Sequence, residues 1–390
     1  MKRNWFWVAP ALLAAAGYGQ TESALVREGR YWVQTLTGTA SLQGSARLRV
    51  SNRGALRLQG EERADIAYSL KKRVRASSES AARAVLSRLG FKTGQQAGWT
   101  TVATSFPAHV DTSADLTLRV PRKLLEVELD SEGGSVEAFD LAGTLKAETG
   151  GGKIQIDRVQ GDVTIRTGGG EVQLGKIGKS VRCASGGGTI TAESIGGEAG
   201  FNTGGGEILI KEAAGAVRAS TGGGNIRVER AGGPVTAATG GGLIEVGQAG
   251  GQVAAESGGG SIKVRLAGGV RCESGSGSIQ LVSVFGSLRA STGAGSILAE
   301  LVAGKPLEDS VLSTGSGDIT VFIPSNLAVT IQAISDSPGL QKIISEFPEI
   351  QARVLSRAGR AEAQGALNGG GPVLKLAASD GAIYLRRQKH

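Results

Sequence analysis

Residues 168–206 read GGGEVQLGKIGKSVRCASGGGTITAESIGGEAGFNTGGG, with a glycine triplet at each end and one in the middle. Triplets begin at Gly150, Gly168, Gly186, Gly204, Gly222, Gly240 and Gly258, always 18 residues apart. The pattern then loosens to Gly275-Ser276-Gly277, Gly293-Ala294-Gly295 and Gly315-Ser316-Gly317, and a partial copy precedes it at Gly133-Gly134. A fixed short period is the signature of a repeat array. Each repeat divides into two halves. The first reads GGG-x-Φ-x-Φ-x-x and the second Φ-x-G-x-Φ-x-Φ-x-[ST], where Φ is aliphatic or small, as in GGGKIQIDR followed by VQGDVTIRT. Alternation with period two predicts short half-buried strands, and glycine between them predicts corners that use positive φ.

The predicted fold is therefore mainly β: a parallel β-solenoid, or two-sheet β-helix, with 18 residues per coil and about ten coils at the usual strand spacing of about 4.8 Å. The inward columns of the first halves run from Ile154 and Ile156 to Ile279 and Leu281. Those of the second halves run from Val163 and Ile165 to Val270 and Cys272. Cys183 and Cys272 fall in one column, five coils or about 24 Å apart. That exceeds the roughly 7 Å a disulfide allows between Cα atoms, so both are expected to be buried free thiols. A Ser/Thr column from Thr167 to Thr292 closes the second halves and is expected to cap corner backbone. An ice-binding face would need a double row.

The chain has 390 residues, with 63 Gly, 9 Pro and a formal charge of +8. The aliphatic content and the absence of a three-residue glycine period exclude disorder and collagen. Lys2 and Arg3 precede the apolar run Trp5 to Ala16, with Gly17 and Gly19 after it, so residues 1–19 are expected to be a secretory signal peptide. No later segment has the apolar length of a membrane helix. Residues 20–123 are expected to form a strand-rich region with one helix over 77–89, whose buried face carries Ala81, Val85 and Leu89. Residues 124–323 are expected to be the solenoid, and 324–390 to be strands and a cap. A short helix is expected over 348–359.

No catalytic or cofactor motif survives inspection. A calcium β-roll needs Gly and Asp where this chain has Lys153, Glu171, Thr189 and Gln155, Gln173, Thr191. GKIGKS at 175–180 lacks the first glycine of a phosphate loop. The two histidines, His109 and His390, suit neither a triad nor a metal site. No cofactor, metal or nucleic-acid partner is expected. The possible ligand face is the outward column Arg182, Arg218, Arg271 and Arg289, interrupted by Gly200, Thr236 and Ala254. It would touch envelope glycans or envelope proteins.

The sequence resembles the bacterial exported "putative adhesin" β-strand-repeat domains, a family of unknown function. The resembling stretches are DLTLRVPRKLLEVELDSEGGSVEAFDLAGTLKAETGGGKIQIDRVQGDVTIRT, VFIPSNLAVTIQA and NGGGPVLKLAASDGAIYL, spanning about residue 110 to the end. The resemblance implies a β-solenoid in the periplasm, outer envelope or cell surface, and brings no catalytic residues. The expected function is a non-enzymatic, adhesin-like or envelope scaffold module. The alternative is a carbohydrate-active β-helix, binding or cleaving polysaccharide, with acids Glu308, Asp309 and Asp318 around the insertion at 302–314.

Overall fold

The computed structural model describes residues 19–42, 44–105, 112–337, 342–354 and 360–388. The expected signal peptide lies outside them up to residue 18, as do His109 and His390. The chain is 63% strand and 2% helix, and stacks parallel coils of about 18 residues into a β-solenoid of about 11 turns. Two compact units divide it, residues 1–171 and 172–390.

In the second unit the coils follow the repeat. Val172–Ile177, Ile190–Ile195, Ile208–Ala213 and Ile226–Ala231 pair in parallel, each with the strand one coil on. Val181–Ser185, Ala199–Thr203, Val217–Thr221 and Val235–Thr239 do the same for the other half. Every inward residue named from the sequence is buried, at 4% exposure or less. Phe201 fills the second-half column between Cys183 and Ala219. A third buried column, Ile177, Ile195, Ala213, Ala231 and Ala249, lies at the turn between halves, where two successive residues face outward before the chain turns in.

The seven triplets of the regular repeat, Gly150 to Gly260, correct one expectation, because none of their residues has positive φ; Gly369 and Gly370, outside that repeat, do. Their role is close approach. A Cβ on the first or third glycine would sit deep inside van der Waals contact with a carbonyl oxygen of the preceding coil, as Gly222 would with Gly204 and Gly224 with Gly206. A Cβ on the middle glycine, Gly223, meets nothing. The hydroxyl column completes the corner. Thr221 donates to the Gly206 carbonyl at 2.8 Å and accepts the Gly224 amide at 3.2 Å. Thr203, Thr239, Ser257 and Ser274 repeat the pair, and the same position carries Ser131 and Thr149 in the first unit.

Residues 20–123, expected as a strand-rich region with one helix ahead of the solenoid, also supply the strands of two coils. Arg47–Asn52 and Leu56–Glu61 form a coil that pairs on one side with Glu126–Ser131 and Val136–Leu141. On the other side it pairs with Trp99–Ser105 and Thr112–Pro121. This coil thus lies between two that are consecutive in the chain. Antiparallel strands Ile66–Val74, Tyr31–Ala40 and Gly90–Gln96 cover the outer edge. Such covering removes the row of open backbone groups that invites edge-to-edge association. The basic run Lys71, Lys72 and Arg73 is neutralised in place by Glu28, Glu22 and Asp115. The helix is Glu79–Leu86, with Ser78 capping Ala81 N at 3.2 Å. Its buried stripe is Ala82 and Leu86, continued by Leu89, one residue round from the expected face. Ala81 is exposed.

The last coil is also out of chain order. Val373–Asp380 and Ile383–Arg387 pair on one side with Ser310–Ser316 and Ile319–Ile323. Val329–Ser335 and Ile343–Ser345 pair on the other. Antiparallel Ala361–Leu367 and Gln351–Val354 cover the edge of Val329–Ser335. The helix expected over 348–359 is corrected: Gln351–Val354 is a strand, drawn into the sheet by that pairing, and 355–359 lie outside the described residues.

Candidate functional site

The four arginines form one exposed column in the second unit. The register runs Arg182, Gly200, Arg218, Thr236, Ala254, Arg271, Arg289, one residue per coil. It continues through Val311 to Lys375 of the last coil. From Arg182 to Arg289 there are six coil steps, about 29 Å at the usual spacing. Lys375 was missed because PVLKLAASDG follows a long break in the repeat, although its strand pattern matches a second half.

The cations differ in how they are held. Arg218 lies 3.7 Å from Glu198, and Arg271 lies 2.8 Å from Glu273 on its own strand. Arg182 and Arg289 have no acidic partner among the described residues. Between them, Gly200, Thr236 and Ala254 are short, so the middle of the face is low. Beside it runs a shallow trough of about 590 Å³ lined by Ser220, Ala238, Glu256, Glu273 and Ser291. Arginine presents a planar fork suited to carboxylate and sulfate groups. A column of such forks on a straight sheet face matches a repeating anionic chain better than a compact ligand.

Other residues singled out from the sequence have structural duties. The hydroxyl column is buried in the corners, so it presents no exposed row. Cys183 and Cys272 are free and buried, with burial raising both thiols, that of Cys183 to about 12. Asp309 Oδ1 accepts the Val373 amide at 2.8 Å, and Asp318 Oδ1 accepts the Ala382 amide at 2.8 Å. Two of the three acids of the alternative reading therefore hold the last coil, and the third, Glu308, is exposed on the insertion. Among the described residues no group of three or more His, Cys, Asp or Glu could hold a metal. No described helix is long and apolar enough to cross a membrane.

No family model matches the chain, and no curated protein does. Among solved structures, it is similar to a "putative cell adhesion protein" from Clostridium sporogenes, at 9% identity and a TM-score of 0.20, over 95% of this chain and 100% of that one. It is also similar to a "putative lipid binding protein" from Parabacteroides distasonis, at 9% identity and a TM-score of 0.24, over 91% of this chain and 97% of that one. At these scores neither likeness carries an argument about ligand or activity.

Proposed function

We propose that the protein is an exported, non-enzymatic β-solenoid of the cell envelope, in the periplasm, outer envelope or cell surface. It acts as an adhesin-like interaction module that binds acidic glycan chains along the Arg182–Arg289 column. The observation that carries this reading is the register of four arginines on one exposed face, two of them without acidic partners among the described residues. Catalysis is not part of the proposal. Asp309 and Asp318, the best-placed acids, are engaged with backbone amides of the last coil.

The test is binding of the protein to immobilised heparin and to polygalacturonate at low and high salt. Exposed charge contacts weaken as salt shortens the screening length to a few ångström. Retention that falls steeply with salt, and falls about tenfold or more in the variant Arg182→Ala/Arg289→Ala, is the expected result. Salt-independent retention, or a variant that binds like the parent, would sink the reading.

A further inference from the structure

A second surface, in the coils that close the second unit, has a different chemistry. Strands Ile297–Leu301, Ile319–Ile323, Ile383–Arg387 and Ile343–Ser345 stack in that order. Their outward residues form two columns. One runs Leu298, Thr320, Tyr384 and Ile344, the other Glu300, Phe322 and Arg386. Thr320 is short between larger neighbours, and a concavity of about 770 Å³ opens there.

Two aromatic rings reach the outer face here; Phe285, a half-buried ring on an earlier coil of the second unit, lies under Lys305 at 5.4 Å. From residue 140 to 284 the only aromatic is Phe201, and it is buried. Phe322 and Tyr384 both line the concavity, on adjacent coils. Arg386 lies 5.4 Å from the Tyr384 ring centroid and donates to Glu346 Oε1 at 2.8 Å, forming one firm wall. Among the described residues no cation covers Phe322, and no hydrogen bond or ion pair engages the Glu300 side chain.

We propose that this concavity binds a short stretch of a neutral saccharide chain. A pyranose has an apolar C–H face and a rim of hydroxyls. The Phe322 ring offers a flat apolar surface for the first, as aromatic side chains do at wet interfaces. Glu300, Arg386 and Glu346 offer planar groups that hydrogen-bond paired hydroxyls. The volume falls in the usual range for small-ligand sites. An acyl chain would meet charged groups on several sides, and a polyanion would meet the open Glu300 carboxylate. A neutral polyol meets neither penalty. The site is separate from the arginine column and would take a different ligand.

The test is calorimetric titration of the full chain with cellotetraose and with tetra-N-acetylchitotetraose. Phe322→Ala and Thr320→Trp are the variants, the second filling the depression without shortening any core side chain. Binding of at least one tetrasaccharide is expected, unchanged by salt, lost about tenfold or more in both variants and untouched in Arg182→Ala/Arg289→Ala. Failure of both saccharides to bind the parent overturns the proposal. So does equal binding by parent and both variants. Salt-dependent binding lost in the arginine variant would assign the saccharide to the other face and also overturn it.

Discussion

The middle coils of the second unit and the coil at each end of the chain are built from the same pattern, yet different forces place them. In the middle, neighbours in space are neighbours in sequence. The corner glycines, the hydroxyl ladder and the aliphatic columns repeat, so one coil edge fits the next as well as it would fit a coil 18 residues further on. At the ends, the coils 47–61 and 373–387 lie between coils that are consecutive in the chain. There the contacts are particular. Arg47, Arg49, Arg53 and Arg57 face Glu126, Glu128, Glu132 and Glu137 across the first of these junctions. Gln59 donates to Asp140 at 2.7 Å beside them. Asp309 and Asp318 grip backbone amides across the second. Repetition specifies stacking without saying which coil comes next, and unique polar contacts supply that information where chain order does not.

The largest effect expected tests the middle. Gly224→Ala places a methyl against the Gly206 carbonyl and should cost about 1–3 kcal/mol, the usual range for overpacking. Gly223→Ala, one residue away and facing open space, is the control and should stay within about 0.5 kcal/mol. Urea denaturation followed by alkylation of the buried Cys272 reads both. Equal effects at the two glycines would break the account of the corners.

Next in size is the last coil. Asp309→Ala/Asp318→Ala should cost about 1 kcal/mol for each hydrogen bond lost. Amide exchange should speed up over 373–387 while Cys272 stays unlabelled. If Cys272 labels as fast as the end opens, end and middle are one cooperative element and the comparison fails.

Acid should act beside the first of the two junctions, on the contact between Val136–Leu141 and the next coil, Ile154–Val159. Arg158 grips Asp140 with hydrogen bonds at 2.8 and 2.9 Å, and this contact above all holds the carboxyl down to about 2. The unfolded value is about 3.9. The native value is the lower one, so this contribution is complete above about pH 4 and is lost as pH falls toward 2. Exchange over 136–141 and 154–159 should rise in that window, and Asp140→Asn should remove the dependence on this group.

The smallest effect belongs to the exposed ion pairs. A double-mutant cycle on Arg49 and Glu128 should give a coupling of about 0.2–1 kcal/mol, vanishing in molar salt. A larger, salt-resistant coupling would mean that the pair does more than choose a neighbour.

The Arg column was legible because it shares the repeat period, so counting alone aligned Arg182 with Arg289. The saccharide concavity was not. Phe322 and Tyr384 lie 62 positions apart, and they meet because the last coil stacks directly on Ile319–Ile323. Asp309 and Asp318 looked like candidate acids from their place around the insertion at 302–314. Their partners, the amides of Val373 and Ala382, are invisible until that same coil is placed.

By itself the sequence determined the coil: its 18-residue length, its two strands, its buried columns and the separation of its two cysteines. These follow from local alternation and from a period that every repeat restates. Only the tertiary structure decided which coils touch at the ends, why glycine is needed at two of three triplet positions, and where aromatic rings gather. Those depend on backbone groups brought together from distant coils. A repeat whose edges are all alike cannot encode such meetings in any one of its copies.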